Sequence, residues 1–237
     1  LIDASQEILA LLPAAGLGTR MSSVTGGAPK ELLPLAGKTV IEAVLDEARA
    51  AGIERFWVVG SAQKPEIEEF SRSRGFGYSV QGEPLGLAHA VAAPVSGWVL
   101  VMLPDTVFSG GSGAAQLISG LGDADGALLV EEVSEGEVSM YGILEVDAVG
   151  LVKRLLEKPS PTATASRLAI AARYLFSPRL MALVCGAVEG GARELTEILQ
   201  AAIDGGTRLR AVRASRLRRL DCGSPKGYAE ALEVLGR

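Results

Sequence analysis

Continuous apolar runs of strand length alternate with amphipathic stretches along most of the chain. Residues 8–13 (ILALLP), 55–60 (RFWVVG) and 98–103 (WVLVML) are such runs, and they suit central strands buried on both faces of a sheet. Between the first two, Val40, Ile41, Val44, Leu45 and Ala48 fall on one face at helical spacing, which predicts a helix over 39–51. Thr39 and Glu42 form a capping-box pair at its start, and Gly52 is a C-terminal stop. With the glycine loop 14–18 after the first run, the order strand, loop, helix, strand predicts a βαβ opening of nucleotide-binding type. The polar stretch 22–27 has no periodicity and reads as a loop.

The alternation continues. Residues 65–74 predict a helix, 77–81 a short strand and 87–93 a helix closed by Pro94. Strands are expected over 127–133, 141–146, 151–156 and 169–176, and a helix over 194–203. Ser224 caps a final helix with Pro225 at its first position. No repeat or low-complexity linker interrupts the pattern. The expected fold is therefore α/β, three-layer αβα and Rossmann-like, with a mixed, mostly parallel sheet, as a single domain over 1–237.

Composition narrows the chemistry. Of 237 residues, 48% are apolar and 22% charged, a globular balance. The net charge of -5 gives no global attraction for nucleic acid, so an acidic ligand needs a local positive site. His89 is the only histidine, which argues against a histidine-based zinc site or a Ser-His-Asp triad; it reads as structural. Cys185 and Cys222 lack metal-ligand spacing and read as small buried residues. No apolar run reaches the ~18 residues of a membrane span, and residues 1–15 lack the basic start of a signal peptide. A cytoplasmic protein with no membrane or nucleic-acid partner is expected, and a homo-oligomer stays open. Six arginines crowd 208–219 without interleaved aromatics, which reads as a solvated strand edge, with help to a phosphate near Asp221 as the alternative.

The most informative string is L-P-A-A-G-L-G-T-R-M over 12–21, followed by Lys30. A glycine loop leaving a buried strand lets backbone N–H groups approach a polyphosphate, and Arg20 and Lys30 add positive charge there. It is neither a Walker loop nor a dinucleotide fingerprint, since the lysine-serine ending and the third glycine are missing. Asp105 follows a buried strand at its expected carboxyl end, where open α/β sheets bind ligands.

The opening string, with P-K-E-L-L-P-L-A-G-K over 29–38, resembles the signature of the sugar-1-phosphate nucleotidyltransferases, closest to the bacterial UTP–glucose-1-phosphate uridylyltransferases. QGEPLGLAHA over 81–90, Leu103-Pro104-Asp105, Tyr141-Gly142, Glu157-Lys158-Pro159 and Asp221-Cys222-Gly223 extend the resemblance in the family's order. It implies the fold of nucleotide-diphospho-sugar transferases. It also implies that Ala14, Ala15, Gly16, Leu17, Gly18 and Thr19 cradle the nucleotide, and that Gln81 and Gly86 read its base. Arg20, Lys30 and Asp105 would be catalytic, and Asp105 and Asp221 would hold Mg²⁺, which prefers oxygen ligands. Gly142, Glu157 and Lys158 would bind the sugar phosphate. Ala172 departs from the pattern, standing where the family frequently has glycine.

The reaction implied is attack of a sugar-1-phosphate oxygen on the α-phosphorus of UTP or dTTP, with loss of pyrophosphate. The nucleophile is already an anion, so positioning and charge neutralisation suffice without a general base. A thymidylyltransferase and a catalytically silent nucleotide-sugar-binding protein are the rival readings.

Overall fold

Strand β1 (Ile8–Pro13) lies inside the sheet of the computed structural model, which describes residues 7–236. After the glycine loop come a one-turn helix α1 (Ser22–Thr25), a small ribbon of β2 (Pro34–Leu35) and β3 (Lys38–Thr39), helix α2 (Val40–Ala50) and strand β4 (Arg55–Gly60). Helix α3 (Pro65–Ser73), strand β5 (Gly77–Val80), helix α4 (Leu87–Val91), strands β6 (Trp98–Met102) and β7 (Thr106–Ser109), helix α5 (Gly113–Gly120) and strand β8 (Gly126–Glu132) follow. The second half adds β9 (Gly142–Val146), β10 (Val152–Glu157), β11 (Leu168–Phe176), α6 (Pro178–Glu189) and α7 (Leu195–Asp204). Strands β12 (Leu209–Arg213) and β13 (Arg218–Asp221) and helix α8 (Pro225–Leu235) complete it.

The main sheet has nine strands, ordered β10-β9-β11-β6-β1-β4-β5, with β8 pairing to β11 and β12 to β8. β1 runs parallel to β4 and β6, β4 to β5, and β12 to β8. Only β10 and β11 run against this direction, so the sheet is mixed and mostly parallel, as expected. β11 serves two groups of strands. Its carboxyl half pairs with β6 and its start with β9, and its register against β8 breaks between Ile170 and Tyr174. Within that break Ala172 takes a φ of +59°, a left-handed value that costs an L-residue energy.

Side-chain alternation along the strands feeds two cores. Ala10, Leu12, Leu100 and Met102 point to one face, under α2, α3, α5 and α8. Leu9, Leu11, Val99 and Val101 point to the other, under α4, α6 and α7. The α2 capping box forms as the sequence indicates: the Glu42 N–H donates to Thr39 Oγ1, and the Thr39 N–H donates to Glu42 Oε2 at 2.8 Å. The structure corrects several expectations. Part of 22–27 is helical rather than loop, α4 stops at Val91, and β7, α5 and α6 are additions. No helix among the described residues is long and apolar enough to cross a membrane. The first part of the segment considered as a leader, residues 1–6, lies outside the described residues.

Candidate active site

The carboxyl ends of β1 and β6 open onto two adjoining cavities. The first, about 270 Å³, is lined by Ala15, Gly16, Lys30, Gln81, Gly86 and Asp105, among others. The second, about 490 Å³, is lined by Arg20, Asp105, Gly142, Glu157, Lys158 and Asp221, with Gly86 shared between the two. Asp105 borders both. The remaining loop residues Leu17, Gly18 and Thr19 border a neighbouring hollow that also reaches Lys30. Ala14, expected to contact a nucleotide, is fully buried. Its N–H donates to Val59 O at 2.7 Å and its carbonyl accepts from Lys64 Nζ at 3.0 Å, so it anchors the loop from behind.

That anchor is a buried ion pair. Lys64 Nζ, at the start of α3, donates to both carboxylate oxygens of Glu31 at 3.0 Å as well as to Ala14 O. Breaking one partner of such a pair costs far more than the pair itself contributes, so the contact fixes the loop against β4. Gly18 turns the loop through a left-handed φ of +66°. Gly16 is different: a β-carbon there would meet nothing within 4 Å. The protein's own packing gives no reason for glycine at that position, and the free space lies where the cavity is.

Asp105 sits in the connection between β6 and β7. Arg173, fully buried, holds that connection by donating to Leu103 O and Thr106 O at 3.4 and 2.8 Å. Its charge is balanced by Glu47 of α2, 2.6 Å away. The antiparallel ribbon of β7 and β13 then sets Asp221 opposite Thr106, and the Cys222 N–H donates to Asp105 O at 2.8 Å. The two carboxylates converge on Gly223, where a β-carbon would lie 2.8 Å from Asp105 Oδ2 and 2.9 Å from Asp221 Oδ1. A β-carbon there would force the carboxylates to shift. Lys30 Nζ is hydrogen-bonded to Asp105 Oδ2. Burial opposes the Lys30 charge, but the Asp105 carboxylate outweighs it and holds the pKa above the ordinary lysine value. The Cys222 thiol reports the same local field: burial first, then Asp105 and Asp221, push it up to about 12.

Two hard carboxylates side by side fit Mg²⁺, which takes one or two protein carboxylates and fills its shell with water and phosphate oxygens. Among the described residues no group of three or more His, Cys, Asp or Glu could hold a metal by itself, so the substrate would have to complete the shell.

On the other side, the β9–β10 hairpin sets Glu157 against Gly142. Thr196 of α7, buried, donates to Glu157 Oε2 at 3.0 Å and fixes its direction. Lys158 follows in a left-handed conformation, φ +43°, with its N–H on Tyr141 O at 3.1 Å. Gln81 Nε2 donates to Gly86 O at 3.1 Å, which orients the amide at the mouth of the first cavity. Sequence reasoning missed Glu31, Lys64, Arg173 and Thr196, and took Arg219 only as one of the arginine run near Asp221. A glutamate placed directly in the apolar stretch ELLPL was the one local signal available for the first of these.

Of the six arginines in 208–219, Arg208, Arg210, Arg213, Arg218 and Arg219 each face an acidic partner. Arg208, Arg213 and Arg218 are exposed as the solvated-strand reading expects, whereas Arg210 and Arg219 are largely buried. His89 lies half-buried on α4 and borders none of these three cavities.

Comparison with known proteins points to one family. The family model described as nucleotidyl transferase matches residues 9–236. A UTP–glucose-1-phosphate uridylyltransferase of Bacillus subtilis (strain 168) is 32% identical over 231 residues, covering 81% of this chain and 78% of that one. The uridylyltransferase AglF of Haloferax volcanii is 31% identical over 236 residues, covering 95% and 96%. Among solved structures, UTP-bound UGPase from Acinetobacter baumannii superimposes with a TM-score of 0.82 at 27% identity, covering 97% and 93%. A UDP-glucose pyrophosphorylase complexed with UDP-glucose gives a TM-score of 0.84 at 27% identity, covering 96% and 98%.

Proposed function

The chain belongs to the nucleotidyl transferase family, and from that membership we propose that it joins UTP to a sugar 1-phosphate, glucose 1-phosphate first, and releases pyrophosphate. The observation that carries this reading is the shared border at Asp105. A glycine loop with Lys30 faces one side of it, and Gly142, Glu157 and Lys158 face the other. Relatives named for UTP and glucose 1-phosphate, at about 30% identity over most of the chain, favour those substrates.

In this reading Ala15, Gly16, Leu17, Gly18 and Thr19 present the nucleotide's phosphates to the cleft. Gly16 is glycine because the ligand, not the protein, needs the room. Gln81, oriented by Gly86, keeps its amide oxygen for the base N–H. Glu157, oriented by Thr196, accepts from sugar hydroxyls, and Lys158 pairs with the sugar phosphate. Asp105 and Asp221 would hold Mg²⁺, which when bound neutralises phosphate charge as the transition state forms. Lys30 adds fixed positive charge on the glycine-loop side of Asp105, and Arg20, which borders the second cavity and not the first, adds it on the sugar side. Because Lys30 stays protonated well above neutrality, it acts as a charge and not as a base.

The test is pyrophosphate release from UTP and dTTP against glucose 1-phosphate and other sugar 1-phosphates. UTP with glucose 1-phosphate should turn over fastest, and chelation of divalent cation should abolish the rate. Preference for dTTP would move the assignment to a thymidylyltransferase, because uracil and thymine offer Gln81 the same edge. Tight product binding with no turnover would favour a silent binding protein.

A further inference from the structure

A thin wall separates the sugar-side cavity from a second, acid-lined hollow of about 340 Å³. Tyr141, Arg219 and Asp221 border both spaces, and Glu131 borders the outer one. Arg219 is unlike its neighbours in the arginine run. Arg208, Arg213 and Arg218 spread over the surface with side chains about half exposed or more, and the largely buried Arg210 turns to the Leu121 and Val149 carbonyls, whereas Arg219 is 14% exposed and borders the sugar-side cavity. Its Nε is hydrogen-bonded to Glu131 Oε1, and its guanidinium carbon lies 4.5 Å from the Tyr141 ring centroid. A planar cation held at one edge by a carboxylate and flat enough to cover a ring is a rigid support for that ring.

The ring matters because of what its own backbone holds. Tyr141 O accepts the Lys158 N–H at 3.1 Å, and Lys158 is held there in a left-handed conformation that a lysine does not choose by itself. Tyr141 is followed at once by Gly142, where a β-carbon would come within 3.2 Å of Thr196 and 3.6 Å of Glu157. Displacing Tyr141 would therefore shift Gly142 and the lysine together, while the glycine loop, Gln81 and Lys30 belong to other elements.

We propose that Arg219 is a positioning residue of the sugar-phosphate subsite, acting through the Tyr141 ring on Gly142 and Lys158. This rests on the reaction proposed above, and it adds a support that the family signature does not name. It also accounts for the arginine of this run that borders the sugar-side cavity: Glu131 fixes the guanidinium, the guanidinium fixes the ring, and the ring's backbone fixes the lysine.

The experiment is a double-mutant cycle in steady-state kinetics with UTP, glucose 1-phosphate and Mg²⁺. Arg219→Gln should raise KM for the sugar phosphate by about tenfold, within the range of an arginine–ring contact, and leave KM for UTP within about twofold. Arg219→Lys, which keeps the charge beside Glu131, should recover most of the loss. In a Tyr141→Ala background, Arg219→Gln should add less than about twofold, because the ring it acts through is gone. A tenfold loss that persists in that background would overturn the proposal in favour of a direct phosphate contact. An unchanged KM in Arg219→Gln would overturn it too. So would equal rises in both KM values with a lowered Tm, the pattern of a merely structural arginine. Wild-type turnover is read first: inactivity of every variant and of wild type alike would count against the reaction itself, a result separable from all of these.

Discussion

At the scale of single residues, the site is built from positions where ordinary preferences are overridden. Lys158 and Ala172 both take left-handed φ values, +43° and +59°, and both border the larger cavity. For Ala172 the cost has no evident return within the fold, since its carbonyl contacts to Leu103 N and Arg173 would be kept by glycine. The left-handed penalty is about 1–2 kcal/mol, and the extra unfolded-state freedom of glycine returns about 0.4–1 kcal/mol of it. Ala172→Gly should therefore stabilise the protein by up to about 1 kcal/mol, read from the urea midpoint at unchanged m-value. A loss of stability would show that the methyl group packs usefully. The sequence marked this position only through its resemblance to a family that frequently has glycine there. Its left-handed backbone was not legible, because the register break in β11 depends on β6, β8 and β9 together.

Most elements that carry their own signal are legible in the sequence, although α6 was missed despite its Ser177 cap and Pro178, and elements that depend on distant partners are not. Strands β1 and β4 match their predicted bounds because their apolar runs are unbroken and bordered by turn residues. α2 announces itself through its capping box and apolar face. By contrast, α5 (GAAQLISG) starts and ends on glycine, and the Ala114 N–H in its first turn is satisfied by Glu47 of α2, a contact no local window contains. β7 has four residues and pairs with β13, more than a hundred positions away, and that pairing is what brings Asp221 to Asp105. The individual aspartates were legible; their convergence needed the ribbon. The glycine loop depends on a distant partner as well, through Lys64 of α3. Lys64→Met would leave Glu31 charged and buried without a partner. It should cost about 3–5 kcal/mol, measured by denaturant unfolding. A loss under about 1 kcal/mol would mean that the loop is held by its backbone alone.

For the molecule as a whole, the parallel strands point their carboxyl ends at one cleft, and the antiparallel hairpin β9–β10 comes in beside it from the second half of the chain. The first half supplies the loop, Gln81, Lys30 and Asp105. The second half supplies Gly142, Glu157, Lys158 and Asp221. Chemistry between two anions needs this division. In the proposed reaction each substrate would be held by its own set of residues, with the paired carboxylates at the boundary and cations on both sides. The account stands or falls on Asp105, which borders both cavities and touches Lys30. The most direct measurement is the rate of pyrophosphate release from UTP and glucose 1-phosphate by Asp105→Asn beside wild type. The account predicts a fall of about a thousandfold, in line with the removal of a main electrostatic contributor, with the fold retained by circular dichroism. A variant that turns over at the wild-type rate would contradict it.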